Sequence, residues 1–186
     1  MRYYLGGLAA RERTADSDRH LAFYLTFVAG AVNAGGFMAV EQYTSHMSGI
    51  VSAIADNMVL GNRFLVITGV SSLASFILGA ACSAVLINWA RRRALESEYA
   101  LPLAVEALLL LIFGFSGLFL TSGSSSTIIL TISLLCFIMG LQNATVTKIS
   151  SSQIRTTHMT GVVTDLGIEL GKMLYWNRTG TAVENQ

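Results

Sequence analysis

Two nine-residue blocks hold most of the residues that could do chemistry. "TSHMSGIVS" runs from Thr44 to Ser52 and "TTHMTGVVT" from Thr156 to Thr164. Each sets a histidine, whose charge changes near neutral pH, among hydroxyls and one glycine. Helical positions i, i+3 and i+7 share a face. That groups Ser45, Ser48 and Ser52 in the first block and Thr157, Thr160 and Thr164 in the second. Eleven residues make close to three turns, so Asp56 extends the stripe that starts at Ser45, while His158 and Asp165, seven apart, share a face in the second copy. Gly49 and Gly161 hold equivalent places in the two blocks. With Asn33 and Asn143, which lie in otherwise apolar stretches, these are the candidate solute-binding residues.

Enzyme signatures are missing. The sequence has no P-loop, no dinucleotide fingerprint and no HExxH, and neither histidine block has a carboxylate at metal-ligand spacing. Ser45 and His46 do not read as a catalytic pair, because helical neighbours point about 100° apart. We expect no enzyme activity, no catalytic residue, no cofactor and no bound metal.

The elements that must position these residues are membrane helices. Of 186 residues, 53% are hydrophobic and 12% charged, with one proline; a soluble domain carries roughly 25% charge. Leu21 to Val40, Phe64 to Ala90 and Thr127 to Thr147 each run 20 residues or more without a charge, about what a bilayer span needs. Leu103 to Leu120 interrupts its apolar run only with Glu106. Lipid forces the backbone to satisfy its own hydrogen bonds, so the fold class is an all-α polytopic membrane protein. Residues 1 to 20 contain four arginines and three acids and read as a solvated tail, with no hydrophobic region of a secretory signal. Cys82 and Cys136 read as small packing residues. Net charge of +1 without a basic stripe gives no case for nucleic acid.

Arginine and lysine set the orientation. Arg2, Arg11, Arg13 and Arg19 precede the first span, Arg91 to Arg93 follow the 27-residue span ending at Ala90, and Lys148 and Arg155 follow the last. All should be cytoplasmic. The first helix then leaves and the helix ending at Ala90 returns, so the segment from about Thr44 to Gly61 should not cross completely. It is expected to be re-entrant or broken; the alternative, a full crossing, would leave three arginines outside. The serine-rich "TSGSSST" at 121 to 127 becomes an external loop. Glu41 and Glu106, near span ends, read as interfacial.

A duplication links the two halves. "FVAGAVN" at 27 to 33 aligns with "FIMGLQN" at 137 to 143, and the histidine blocks follow 11 and 13 residues later. The same order at offsets of 110 and 112 points to a repeat. One copy starts with an outgoing helix and the other with an incoming one, so the expectation is two inverted-topology repeats, an arrangement in which transporters place a solute between broken helices. The boundaries are a tail at 1–20; repeat 1 at 21–120, with helices at about 21–43, about 45–60, 64–90 and 103–120; repeat 2 at 127–172, with helices at 127–148 and about 156–172; and a tail at 173–186. Packing competes with solute contact as the role of the hydroxyl stripes, since Ser, Thr and small residues such as Gly30, Ala34, Gly49, Gly79 and Gly161 also serve helix interfaces. Asn33 and Asn143 could each bind a solute or clamp the adjacent broken segment.

The order "GAVNAGGFMAV…YTSHMSGIVS…AD", followed by "GLQNATVTK…RTTHMTGVVTDLGIELGK", resembles the YoaK family of small bacterial inner-membrane proteins, a domain of unknown function. The resemblance covers about Leu21 to Lys172 and is carried by Gly30, Ser45, Met47, Ser48, Gly49, Gly140, Thr157, Met159, Thr160 and Gly161. It implies a multispan protein of transport-like architecture. Two positions depart from the pattern: Asn33 stands where many members have aspartate, and Ile50 where many have asparagine. Family members continue with a Gly/Ala-rich span after the second block, whereas "GKMLYWNRTGTAVENQ" follows here, so the second repeat is expected to be incomplete.

These readings converge on a transporter or permease for a small polar or anionic solute in the bacterial inner (plasma) membrane, multi-pass, with the N-terminus cytoplasmic. The alternative is a non-transporting scaffold or assembly subunit using the same blocks for packing. An intramembrane metal site of both histidines and an aspartate ranks last. The expected partners are the lipid bilayer, a small solute and a second copy of the chain.

Overall fold

The computed structural model describes residues 15–95, 97–120 and 125–149, with side chains placed at 19–95, 97–115 and 126–149. The described residues form five helices and no strands: α1 (Ala15–Val40), α2 (Met47–Val59), α3 (Arg63–Arg92), α4 (Ala100–Leu120) and α5 (Ser125–Ile149). The second histidine block, the helix expected at about 156–172 and the tail at 173–186 lie outside them. Helix α1 starts within the segment read as a tail. Among the described residues, three helices are long and apolar enough to cross a membrane, over Arg19–Val40, Arg63–Arg92 and Ser126–Ile149. At 13 residues, α2 is only about 20 Å long, against a hydrocarbon core of about 30 Å.

Side-chain contacts fix the helix directions. Leu21, Ala22 and Leu25 of α1 cluster with Val146 and Ile149 of α5, while Gly36 near the other end of α1 meets Leu135; the two helices are antiparallel. Helix α4 also opposes α5, because the Tyr99 hydroxyl donates to the Lys148 carbonyl at 3.5 Å while Glu106 meets Gln142. The third relation is different. Phe76 of α3 lies against Gly140 and Ser83 bonds Thr145, so α3 and α5 run parallel and α1 opposes α3. One end of the bundle therefore gathers Arg19, Arg91, Arg92, Arg93 and Lys148.

Helices α3 and α5 cross with backbone against backbone. A methyl group on Gly79 would run into the Phe137 carbonyl, and one on Gly140 into the Phe76 carbonyl. "FILG" at 76–79 and "FIMG" at 137–140 thus pack reciprocally, each glycine Cα–H facing a carbonyl, as weak C–H···O contacts between membrane helices require. A buried hydrogen bond extends the seam: Ser83 Oγ and Thr145 Oγ1 are 2.8 Å apart. The Thr145 proton already goes to the Leu141 carbonyl at 2.8 Å, so Ser83 is the donor. Cys136 is buried in this region and Cys82 half-buried, both as free thiols.

Candidate functional site

The site is built where α1 breaks into α2. The Glu41 amide still closes the last helical turn onto the Phe37 carbonyl at 2.8 Å, but Glu41 itself has φ of 55°, a left-handed conformation that a residue with a side chain rarely adopts. The chain then turns back over its own helix. Asn33, two turns earlier, receives it: its Oδ1 accepts the Thr44 amide at 3.2 Å and the Ser45 hydroxyl at 3.0 Å. On the outside of the bend, Phe37 and Tyr43 stack with ring centroids 4.6 Å apart. Thr44 is fully buried, near Gly36, and its hydroxyl has no hydrogen-bond partner among the described residues.

His46 follows as the N-cap of α2, and its side chain makes no capping bond. The imidazole instead lies over Gly49, where a methyl group would overlap it. This explains the spacing of "HMSG" physically: one turn into the helix, the glycine leaves room for the ring. Beyond it, α2 packs on α3 through Ile50 and Ile54, with Ile54 filling the notch at Gly69. Between the bend, α2 and α3 lies a cleft of about 370 Å³ whose polar edge comes from Glu41, Gln42, Tyr43, His46, Asn57 and Thr68.

The fold separates the sequence candidates. His46 and Gly49 line the cleft. Asn33 and Ser45 form the clasp that sets the bend. Ser48, Ser52 and Asp56 are exposed and do not line it, because Ile50 and Ile54 turn the opposite face of α2 toward α3. Asn143 is half-buried on α5, far along the chain from this site, and its carbonyl accepts from Thr147 at 2.7 Å. Thr157, His158, Thr160, Gly161, Thr164 and Asp165 lie outside the described residues. Among the described residues, no three His, Cys, Asp or Glu side chains gather as a metal site would need.

Other polar residues of note were not candidates. Glu41, Gln42, Asn57 and Thr68 reach the cleft from segments that carry no motif. Glu106, read as interfacial, is packed between helices and 3% exposed. Gln142 of α5 donates to it at 2.6 Å and to the Leu25 carbonyl at 3.2 Å. Adjacency to Asn143 in the repeated "FIMGLQN" was the one signal that could have drawn attention to Gln142.

Helices of this length and apolarity, crossing through glycine and hydroxyl contacts, define a helical integral membrane protein. A family model described as "Protein of unknown function (DUF1275)" matches residues 21–185, and the chain belongs to that family. No curated protein and no solved structure matches it.

Proposed function

We propose that the protein is a permease for a small polar or anionic solute, seated in the bacterial inner membrane with its N-terminus cytoplasmic. The observation that carries this reading is the cleft at the break between α1 and α2, where a helix end without a side-chain cap and His46 face a hollow of solute size. Backbone N–H groups at such a helix end attract anions, and Glu41 on the same wall favours a solute that also presents a donor or a positive group. The antiparallel course of α1 and α3 supports a re-entrant α2, since the chain can leave and re-enter the bundle at one end. The antiparallel course of α1 and α5 supports inverted repeats, with His158 and Gly161 taking the places of His46 and Gly49. The gathering of Arg19, Arg91 to Arg93 and Lys148 at one end supports the orientation.

Flux into proteoliposomes tests the reading. A panel of small anions and zwitterions should include one whose uptake falls at least tenfold in the His46→Ala/His158→Ala double variant. Unchanged uptake would remove the histidines from the mechanism. A second reading, a scaffold subunit, is favoured by one observation: Ser48, Ser52 and Asp56 form an exposed polar stripe suited to another helix. Absence of flux for every solute in a folded protein, with crosslinking through Ser52→Cys, would favour it.

A further inference from the structure

The chemistry of the Glu106–Gln142 pair is left incomplete by its protein partners. Four buried side-chain oxygens lack a hydrogen-bond partner among the described residues: those of Thr44 and Ser97, Glu106 Oε2 and Gln142 Oε1. Two of the four belong to this one contact. The Gln142 amide cannot simply be turned over, because the Leu25 carbonyl is an acceptor and needs the NH2 group beside it. With Nε2 thus placed, its two hydrogens go to Leu25 O and Glu106 Oε1. The remaining oxygens, Glu106 Oε2 and Gln142 Oε1, flank that second bond, each one carbon away from it. Both are acceptors, and both are out of water.

We propose that Glu106 and Gln142 form an intramembrane proton-binding site, with one proton carried on Glu106 Oε2 and donated to Gln142 Oε1. A single proton satisfies both bare oxygens and closes an acid–amide ring of two hydrogen bonds. It also removes the buried charge, which is costly at membrane depth. Uptake adds one proton from water to the carboxylate and forms one O–H bond; release reverses this, and nothing is oxidised or reduced. The ring ties α4 to α5, and the bond to Leu25 ties both to α1. The other ionisable groups on the packed helices are Arg19, His20 and Tyr24 on the early turns of α1, Arg63 and Arg91 to Arg93 at the two ends of α3, Glu98, paired with Arg91, and Tyr99 just ahead of α4, and Lys148 on α5. Cys82 and Cys136 are the thiols of α3 and α5, the latter turned toward Ser72. Among the described residues, the side chain that hydrogen-bonds Glu106 is Gln142. The site is separate from the cleft and does not depend on the permease reading.

Infrared spectroscopy of the full-length protein in lipid nanodiscs tests the proposal. At neutral pH the wild type should show the carbonyl band of a protonated glutamic acid, moved by 13C-glutamate labelling and by D2O. The band should be lost in Glu106→Gln, whose amide can still donate to Gln142 Oε1 and keep the helices joined. It should be displaced in Gln142→Leu, where the acid loses its acceptor. No protonated-glutamate band in the wild type, or a band that persists in Glu106→Gln, overturns the proposal. Should Glu106→Gln fail to fold, a labelled band that ignores Gln142→Leu overturns it, and one that shifts supports it.

Discussion

Asn33 shows how a single side chain decides a local architecture. Its carbonyl oxygen accepts two bonds from the segment after the bend, and neither bond uses its NH2 group as a donor. Asn33→Leu leaves the buried Thr44 amide without an acceptor, at a cost of about 1–3 kcal/mol, and should lower the melting temperature of the detergent-solubilised protein. Asn33→Asp offers the same acceptor oxygens and should preserve the bend, seen as unchanged protease resistance between residues 41 and 46. The aspartate that the resemblance associates with this position is therefore chemically compatible with the clasp. Thr44→Val should be neutral or stabilising in the same melt, since it replaces a buried unpaired hydroxyl with a methyl group. The sequence left Asn33 open between clamp and solute ligand because both roles ask for an amide in an apolar span. Only the distances across the bend distinguish them. The partner of Glu106 was hidden for a related reason: Gln142 is 36 residues away, and no periodicity announces such a pair.

Among the elements, α3 and α5 carry the sharpest constraint. Gly79→Leu and Gly140→Leu each drive a side chain into a backbone carbonyl, which cannot rotate aside as a side chain could. Either change should cost at least the 1–3 kcal/mol typical of overpacking, read as loss of folded protein in a thermal melt. The adjacent hydroxyl pair predicts an asymmetry. Thr145→Val removes the acceptor of a buried Ser83 proton and should destabilise by about 1–3 kcal/mol, whereas Ser83→Ala leaves the Thr145 proton on the Leu141 carbonyl and should cost less. The long spans were legible because absence of charge over 20 residues is a sufficient signal. The orientation of α2 was not. Spacing put Ser48, Ser52 and Asp56 on one face, but Ile50 and Ile54, fitted against Gly69, decide which face meets α3.

For the whole molecule, the opposed directions of α1 and α3 make a discriminating test. With Cys82 and Cys136 replaced, cysteines at Gln42 and Asn62 should both label from the outside, Ser124 should label likewise, and Arg92 should label from the inside. Gln42 and Asn62 reacting from opposite sides would mean that α2 crosses fully. Charge bias in the sequence is the ground on which this topology is expected, whereas the parallel pairing of α3 with α5 joins segments whose similarity, "FILG" and "FIMG", is only four residues long. That pairing also has a consequence for biogenesis. A ribosome delivers α3, then α4, and only then α5, so the backbone notch at Gly79 must face lipid or the insertion machinery while more than thirty further residues are made. During that interval α3 is a helix without its mate, and a membrane chaperone that recognises small-residue notches would find its target there.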